Sequence, residues 1–254
     1  EFASLYPVFS KASAHRMEKD IPLIVPEINP DHIELVRIQQ KKRGWKGFIT
    51  TDPNCSTIGL VLTLKPLMQF GLRQVMVTTM QALSGAGYPG VASLDIIDNV
   101  VPFISGEEDK METEPRKILG NLNGDSITFA DFQMTASCNR VHVKDGHLES
   151  VFVKLDQATT LEQVEAAFED FRGAPQLLKL PSAPAQPIIV RHEKNRPQPR
   201  YDRDAGNGMS VVVGRLRKDP MMTLKYMCLS HNTVRGAAGG GILSAELYVA
   251  QGLA

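Results

Sequence analysis

The sequence is poor in several features that mark specialised proteins. Its three cysteines are widely spaced and odd in number, which argues against a disulfide framework and favours a reducing compartment such as the cytosol. Its 28 Lys and Arg residues balance its 28 Asp and Glu residues, so no overall charge attracts nucleic acid or an anionic membrane. No apolar run approaches the roughly 20 residues of a membrane span. What remains is a globular chain of 254 residues, long enough for one large or two small domains.

The first residues carry neither an initial methionine nor a signal-peptide pattern. Tyr6–Phe9 already has strand character, so we expect the chain to begin inside a fold. A short apolar strand at Pro22–Pro26, a helix capped by Asp31 and running to Lys42, and a strand at Trp45–Thr50 are predicted next. This alternation is typical of the last unit of a parallel, nucleotide-binding type of sheet.

The stretch from Gly47 to Leu60 organises the rest of the chain. A mostly apolar helix is predicted from Thr57, and Cys55 lies where it begins, beside backbone N–H groups that have no intrahelical partner. The positive end of the helix dipole favours the thiolate, the form that attacks carbonyl carbon. A small buried cysteine that acts as an ordinary apolar residue is the alternative. Position alone leaves both interpretations open.

The middle of the chain predicts a strand at Arg73–Gln81 and then a glycine-rich loop at residues 84–90. The loop contains a G-x-G-x-x-G pattern, but the half-polar strand before it fits a dinucleotide fingerprint poorly. We expect instead a loop that offers its backbone to a ligand from another direction. Apolar spacing predicts helices over residues 94–100 and 111–119, with a dense charge cluster before the second helix.

Residues 141–148 carry a strong hairpin pattern, with Asp145-Gly146 as a two-residue turn between alternating runs. In that register Lys144 faces His147, and Arg140 faces Val151. Cross-strand partners share a face, so one side of the ribbon carries Arg140, His142, Lys144, His147 and Glu149. A row this polar meets solvent, another subunit or a substrate, and the pattern does not decide among them.

The last third of the chain predicts a helix opened by a capping box at residues 159–163, strands at Met209–Leu216 and Thr223–Leu229, and a helix at Val234–Gln251. The predicted fold class is therefore α/β in the broad sense (α+β). We expect a mixed, largely antiparallel sheet flanked by helices and bracketed by pieces of an α/β unit.

A thiolate at Cys55 needs an acid or base within reach and an anchor for an anionic substrate. His147 follows a rigid turn and shares a predicted face with Arg140, so it is the best candidate for the base. The forked donors of Arg140 suit a carboxylate. Lys110 and Arg16 are candidates for binding a second anion. None of these residues is specific by itself.

Several short motifs become specific because they occur together. They are Val25-Pro26-Glu27-Ile28-Asn29, Pro53-Asn54-Cys55-Ser56, the run from Gln81 to Gly90, the run from Ile104 to Lys110, Arg140 followed seven residues later by His147, and the closing run from Leu229 to Ala238. In this combination and order the sequence closely resembles the aspartate-semialdehyde dehydrogenase family, in the branch found in fungi and archaea. The resemblance covers essentially the whole chain.

The resemblance implies a reversible, NADP-dependent conversion of 4-phospho-L-aspartate to L-aspartate 4-semialdehyde, an early step toward lysine, methionine, threonine and isoleucine. It implies that Cys55 is the acylated nucleophile, that His147 is the acid and base, and that Gln81 orients the thioacyl intermediate. The implied substrate contacts are Arg140 for the carboxylate, Glu107 for the amino group, Lys110 and Arg16 for the phosphate, and Asn54. The implied cofactor contacts are Ser84, Gly85 and Asn232, and no metal is implied.

The resemblance also implies a domain organisation. Residues 1–53 would be a remnant of a Rossmann-type NADP-binding domain, and residues 54–230 a catalytic and dimerisation domain similar to the glyceraldehyde-3-phosphate dehydrogenase-like C-terminal domain. Residues 231–254 would form a helix that packs back toward the nucleotide-binding side. We expect a homodimer or homotetramer. The family's glycine-rich phosphate turn lies upstream of this stretch, so we expect weakened or lost NADP binding and impaired turnover by this chain alone.

Three other functions stay open. One is a related reductase that acts on another amino-acid phosphate, such as the N-acetylglutamyl compound. Another is a cysteine hydrolase or acyltransferase that uses Cys55 and His147 without a cofactor. The third is a non-catalytic dimer module. Under all of them Cys138 and Cys228 are predicted to be packing residues.

Overall fold

The computed structural model describes all 254 residues. Its strands are β1 (Pro7–Ser10), β2 (Phe48–Thr51), β3 (Leu72–Gln81), β4 (Val100–Val101), β5 (Asn121–Asn123), β6 (Ser126–Thr128), β7 (Gln133–Val141), β8 (His147–Leu155), β9 (Ile188–Arg191), β10 (Val211–Lys218) and β11 (Leu224–Ser230). Its helices are α1 (Leu35–Arg43), α2 (Cys55–Leu64), α3 (Ser93–Ile96), α4 (Glu107–Ile118), α5 (Leu161–Glu169), α6 (Ala174–Leu177), α7 (Pro199–Asp202) and α8 (Gly239–Ala250). A π-helical turn at Val234–Ala238 leads directly into α8.

The main sheet has seven strands in the order β4-β7-β3-β8-β11-β10-β9. β3 runs parallel to β7 and β9 runs parallel to β10, whereas the other neighbours are antiparallel. The predicted fold class, a mixed and largely antiparallel sheet flanked by helices, is confirmed. Every second side chain of β8 is buried, because successive side chains point to opposite faces and one face of the sheet is covered.

Helices cover that face of the sheet and close the large core. α2 is buried from Ser56 to Leu64, because it lies between the sheet and the other helices. α5, opened by the predicted capping box at Thr160, packs Phe168 edge-on against Tyr226 of β11 at 5.5 Å between ring centroids. The other face stays open on β3, where Met76 is 49% exposed. The sheet therefore has one packed side and one uncovered side.

A second, smaller core lies beside the first residues of α2. It is formed around the parallel pair β1–β2 by α1 and α8, and its centre is Phe48 stacked on Tyr248 at 5.2 Å between ring centroids. Two fully buried side chains, Glu27 and Arg235, pair across 208 positions of sequence beside this core. The ends of the chain thus pack on one another.

Three local predictions near the start of the chain need correction. Pro22–Pro26 is not a strand, because prolines at both ends lack a donor and only Leu23 pairs with Thr51. Asp31 caps no α-helix: Pro30–Glu34 is a 3₁₀ turn, and the α-helical part begins afterwards at α1. The strand predicted at Trp45–Thr50 occurs as β2, but it begins only at Phe48 and ends one residue later, at Thr51.

The predicted helix over residues 94–100 is wrong. Only the single turn α3 forms, because Asp98 has a positive φ of 56°, outside the helical region, and Val100–Val101 then joins the sheet as β4. The next helix is longer than predicted: α4 starts at Glu107, so the charge cluster forms its first turn. Acidic side chains there face the positive end of the helix dipole.

The predicted hairpin at residues 141–148 is also wrong. β7 and β8 do not pair, because β3 lies between them and bonds to both. The connection with Asp145-Gly146 crosses the end of β3 instead, where Val143 O accepts the Leu83 N–H at 2.7 Å and Lys144 O accepts the Ser84 N–H at 3.1 Å. His142 and Lys144 point to solvent, so the five-residue polar face does not form.

The later elements follow the predictions closely. β10, β11 and α8 occur where the sequence places them, and Cys138 and Cys228 are buried in the large core. α2 ends at Leu64 and continues as a 3₁₀ segment, because Pro66 cannot continue the α-helical hydrogen bonds. None of the helices combines the length and the apolar character needed to cross a bilayer.

Candidate active site

The thiol of Cys55 lies on the first residue of α2, as the sequence predicts. Asn54 is the N-cap of this helix, and its Oδ1 accepts the Ser56 N–H at 3.3 Å. β2 ends at Thr51, so a short turn through Pro53 is enough to carry the chain from the buried strand to the helix. The strand, the cap and the helix together fix the position of the sulfur.

A row of polar side chains crosses the main sheet at the edge that faces Cys55. Gln81 ends β3 and is paired with Arg140 of β7, while Ser230 ends β11 and is paired with His147 of β8. β3 and β8 are antiparallel neighbours with Met80 opposite Leu148, which brings Gln81 beside His147. Residues distant in sequence therefore meet because their strands end at one edge.

His147 contacts the sulfur and is held in one tautomer. Its Nε2 lies 3.3 Å from Cys55 Sγ, and its Nδ1 accepts the Ala82 N–H at 3.0 Å. Because a donor points at Nδ1, the neutral ring must carry its proton on Nε2, facing the sulfur. Burial, aided by the nearby Arg140 charge, lowers the pKa of His147 to about 3, so the ring is neutral at physiological pH.

The surroundings of Cys55 hold its proton more firmly than the sequence predicts. Burial, followed by the Glu107 carboxylate, raises the pKa of the thiol to about 12. The backbone N–H groups at the helix start and the Arg140 charge lower the pKa, as expected for a helix N-terminus, but they do not prevail. The bias toward thiolate expected from the helix start is therefore outweighed, and the surroundings of Cys55 favour the thiol.

Glu107 is the centre of the hydrogen bonds around the nucleophile. Its Oε1 accepts from Asn54 Nδ2 at 2.6 Å and from Gln81 Nε2 at 2.8 Å, and its Oε2 lies 3.4 Å from Lys110 Nζ. Glu107 is buried whereas Lys110 is half-buried, so the ammonium reaches the pocket from its rim. The carboxylate retains room for one further donor on the pocket side.

The side chain of Arg16, the predicted phosphate ligand, is held by a carboxylate of α4. Its Nη1 donates to Glu114 Oε1 at 2.9 Å, and its Nη2 donates to Lys11 O at 2.9 Å. Glu114 Oε2 also accepts the backbone N–H of Asn54 at 2.7 Å. One buried carboxylate thus connects the Arg16 guanidinium to the cap of the nucleophile helix.

The walls beside the thiol are backbone rather than side chain. A Cβ on Gly236 would lie 2.7 Å from Cys55 Cβ, and one on Gly85 would lie 3.0 Å from both Arg140 Nη1 and His147 Cε1. Asn232 Nδ2 donates to Ser84 Oγ at 2.8 Å and joins the two walls. The two glycines therefore let the backbone pack directly against the thiol, the imidazole and the guanidinium, where any side chain would collide with them.

A single pocket of about 600 Å³ brings the predicted residues together. Ten of the eleven predicted residues line it, and His147, the eleventh, lies behind the sulfur; the ten are Arg16, Asn54, Cys55, Gln81, Ser84, Gly85, Glu107, Lys110, Arg140 and Asn232. A thiol next to an imidazole, in a pocket with four cationic side chains (Lys11, Arg16, Lys110 and Arg140), is the arrangement that enzymes with an acyl-cysteine intermediate need.

Sequence reasoning missed three groups that support this site. Glu114 acts across 98 positions on Arg16, the Ala82 N–H fixes the His147 tautomer, and Gly236 makes room for Cys55. One signal was available for Glu114: it lies seven residues after Glu107 on one helix, hence on the same buried face. The Ala82 contact comes from backbone and has no signature in residue type.

Comparison with known proteins agrees with this class of enzyme. A family model described as "Semialdehyde dehydrogenase, dimerisation domain" matches residues 64–235. The aspartate-semialdehyde dehydrogenase of Archaeoglobus fulgidus is 60% identical over 244 residues, which are 96% of this chain and 70% of that protein. The chain belongs to the aspartate-semialdehyde dehydrogenase family.

Two further relatives bear on the chemistry. The crystal structure of the aspartate-semialdehyde dehydrogenase of Candida albicans with NADP matches with a TM-score of 0.89 at 44% identity, over 98% of this chain and 72% of that one. The malonyl CoA reductase (NADP) of Metallosphaera sedula is 46% identical over 99% of this chain and 72% of that protein. The chain spans about 70% of the length of these relatives.

Proposed function

We propose that this chain carries the catalytic site for NADP-dependent reduction of 4-phospho-L-aspartate to L-aspartate 4-semialdehyde and phosphate, the reversible step that leads toward lysine, methionine, threonine and isoleucine. The observation that carries the proposal is Cys55 Sγ at 3.3 Å from His147 Nε2, in a pocket with Arg140 at one side and Lys110 and Arg16 at another. Cationic groups on separate sides suit a short substrate with an anion at each end.

The first step transfers the acyl group to sulfur. Arg140 binds the α-carboxylate, Glu107 accepts a hydrogen bond from the amino group, and Lys110 and Arg16 bind the phosphate, so that the acyl carbon lies on Cys55 Sγ. The C–S bond forms as the C–O bond to phosphate breaks. The proton of the thiol leaves with the phosphate, which departs as hydrogen phosphate.

The second step reduces the thioester. NADPH, when bound, supplies a hydride to the acyl carbon. The Nε2–H of His147 donates a hydrogen bond to the oxyanion that results and stabilises it, and the oxyanion collapses to the carbonyl as the C–S bond breaks, with the thiolate then taking a proton from solvent. The sulfur leaves with the electron pair of that bond, and the free aldehyde is released.

The cofactor contacts proposed for this chain are Ser84, Gly85 and Asn232, which line the same pocket as the thiol. They suit the nicotinamide end of NADP, and no metal takes part. The segment after β1, from Lys11 to Asp20, has no glycine with which to approach a phosphate. We expect the chain as printed to bind NADP more weakly than the Candida relative, and an NADPH fluorescence titration of both proteins measures the difference.

Acyl transfer can be tested without the cofactor. Incubation with 4-phospho-L-aspartate should add one aspartyl group to Cys55, detected by intact-mass spectrometry, and Cys55→Ser should remove the adduct. His147→Asn should keep the adduct and slow its reduction by NADPH. A wild-type chain that stays unmodified at saturating acyl phosphate contradicts the proposal, and so does an adduct that persists in Cys55→Ser.

The malonyl CoA reductase relative favours a second candidate substrate, an acyl thioester. Glu107 argues for the amino-acid substrate, since a buried carboxylate with a free acceptor position needs a cationic or donor partner. Parallel mass measurements with malonyl-CoA, N-acetylglutamyl phosphate and 4-phospho-L-aspartate separate the candidates. Acylation by malonyl-CoA at an equal or higher rate would favour the thioester reductase.

We also propose the domain boundaries and the assembly. Residues 1–53 and 231–254 form the nucleotide-binding side, around the small core, and residues 54–230 form the catalytic and dimerisation part. The uncovered face of β3, with Met76 exposed, supports a homodimer through that face of the sheet. Light scattering should give at least a dimer for the wild type and a smaller species for Met76→Lys. A monomeric wild-type chain would contradict this assembly.

A further inference from the structure

The amide of Asn54 connects the Glu107 carboxylate to the thiol of Cys55. Asn54 Nδ2 donates to Glu107 Oε1 at 2.6 Å, and Cys55 Sγ donates to Asn54 Oδ1 at 3.3 Å. A carboxylate accepts only, so the amide nitrogen must face Glu107 and the amide oxygen must face the sulfur. The Ser56 N–H, which also points at Oδ1, fixes the same orientation.

This chain of bonds favours the protonated thiol. The negative charge on Glu107 polarises the amide and makes Oδ1 a better acceptor for the S–H proton. A thiolate would instead face the lone pairs of Oδ1 with a carboxylate behind them. His147 Nε2–H, Arg140 and the N-terminus of α2 favour the thiolate. Lys110 Nζ lies 3.4 Å from Glu107 Oε2 and offsets part of the carboxylate charge, whereas Arg16 is paired with Glu114.

We propose that Glu107 and Asn54 together keep Cys55 protonated until a cationic amino group binds at Glu107, so that amino-acid substrates activate the nucleophile that attacks them. The inference rests on the proposed function, in which Glu107 contacts the substrate amine. An ammonium beside Oε2, the oxygen with room for a further donor, neutralises the charge that polarises Asn54, and the S–H proton is released. In turnover that proton leaves on the phosphate, and in a binding experiment it goes to the buffer.

The size of the effect follows from the distance. One amide group separates sulfur from carboxylate, so the two charges lie about 7 Å apart. At an effective dielectric constant of about 20, their Coulomb interaction corresponds to a roughly ten- to hundredfold change in thiolate fraction. Substrates without an amino group do not raise the thiolate fraction of Cys55. Glu107 therefore determines specificity through the reactivity of the thiol as well as through binding affinity.

The test measures the Cys55 thiolate fraction at pH 7, where L-alanine carries its ammonium, as the rate of alkylation by iodoacetamide in the wild type minus that in Cys55→Ser, so that the buried Cys138 and Cys228 cancel. The probes are L-alanine and propionate, which have the same carbon skeleton and differ in the amino group. L-alanine should raise the alkylation rate about ten- to hundredfold, and propionate should not. Equal changes with both probes, or none with L-alanine at any concentration, overturn the proposal.

Two variants complete the design. Glu107→Gln should raise the alkylation rate without any ligand and abolish the response to L-alanine. Asp109→Asn removes the same charge from an exposed position on the same helix turn and should behave as the wild type. A Glu107→Gln alkylation rate identical to that of the wild type overturns the proposal. Failure of acyl transfer from 4-phospho-L-aspartate, measured separately, would count against the proposed function instead.

Discussion

Replacing Lys117 by Met should weaken the binding of the acyl phosphate although Lys117 does not line the pocket. The Lys117 side chain is buried, and its Nζ donates to the carbonyl oxygens of Arg16, Glu18 and Ile21 at 2.6, 2.7 and 2.8 Å. All three ammonium protons are therefore used to shape the segment that presents Arg16. Methionine has a similar length but no donor, so the segment loses its internal support.

The magnitude follows from the bonds removed. A buried carbonyl without a donor costs about 1–3 kcal/mol, so three of them should cost roughly 3 kcal/mol or more of unfolding free energy. That loss corresponds to a decrease of Tm by about 6–12 °C in a chain of this size. A charged hydrogen bond from Arg16 to phosphate is worth roughly 1.5–3 kcal/mol, so its loss raises the half-saturating acyl-phosphate concentration about ten- to hundredfold.

The assay is the rate of Cys55 acylation against the concentration of 4-phospho-L-aspartate, at a temperature where the variant is folded. The β-methyl ester of L-aspartate, which has no phosphate, serves as the control donor and should acylate wild type and Lys117→Met alike. Arg116→Met changes the neighbouring helix position, which contacts Ala130 O instead, and should have little effect. Equal weakening for both donors would show that Lys117 supports the fold without a specific role in placing Arg16.

The pH dependence gives an independent check. Burial lowers the pKa of Lys117 to about 8, against the opposing charges of Asp20, Glu18 and Glu114. Above that pH the neutral amine has two protons for three carbonyls. The half-saturating concentration should therefore rise in the wild type as the pH passes 8, and it should stay flat in Lys117→Met. A wild-type profile without this rise would refute the reasoning.

Three other predictions concern different parts of the site. Arg235→Met strands the fully buried Glu27 carboxylate and should lower the unfolding free energy by about 3–5 kcal/mol, measured by calorimetry, and a smaller loss would mean that water reaches the pair. His147 should show a neutral Nε2–H tautomer in ¹⁵N NMR with no titration between pH 5 and 8, since its pKa is lowered to about 3, and a midpoint near 6.5 would contradict the Ala82 contact. Gly236→Ala should suppress acylation because its Cβ meets Cys55, whereas Gly241→Ala meets only the flexible end of Lys11 and the edge of Asp52 and should retain acylation.

Local sequence patterns predicted those elements whose structure depends on neighbours in the chain. The capping box at Thr160 and the strands β10 and β11 are confirmed, and α2 begins at Cys55, where the sequence places the start of that helix. The apolar spacing over residues 94–100 was misleading, because the positive φ at Asp98 interrupts the helix and spacing does not encode backbone torsion.

The hairpin prediction failed for a physical reason that concerns topology. An Asp-Gly turn between alternating runs describes a tight connection, and the connection is indeed short. Which strand fills the space beside β7 depends on parallel pairing with β3, about 60 residues earlier, and no local pattern contains that pairing. Arg140 and His147 reach one site because both flank Gln81, and not because they face each other across a ribbon.

The insertion of β3 between β7 and β8 has a consequence for the exchange of backbone protons. The amides of Ala82, Leu83 and Ser84 are bonded to groups of the β7–β8 connection and of β8, so none of them can open alone. Leu83 and Ser84 become accessible to solvent when the connection lifts away from the end of β3, and Ala82 when the His147 ring leaves it. Deuterium uptake at these positions therefore reports how often the β7–β8 connection opens, and the histidine keeps its tautomer for as long as the Ala82 proton stays protected.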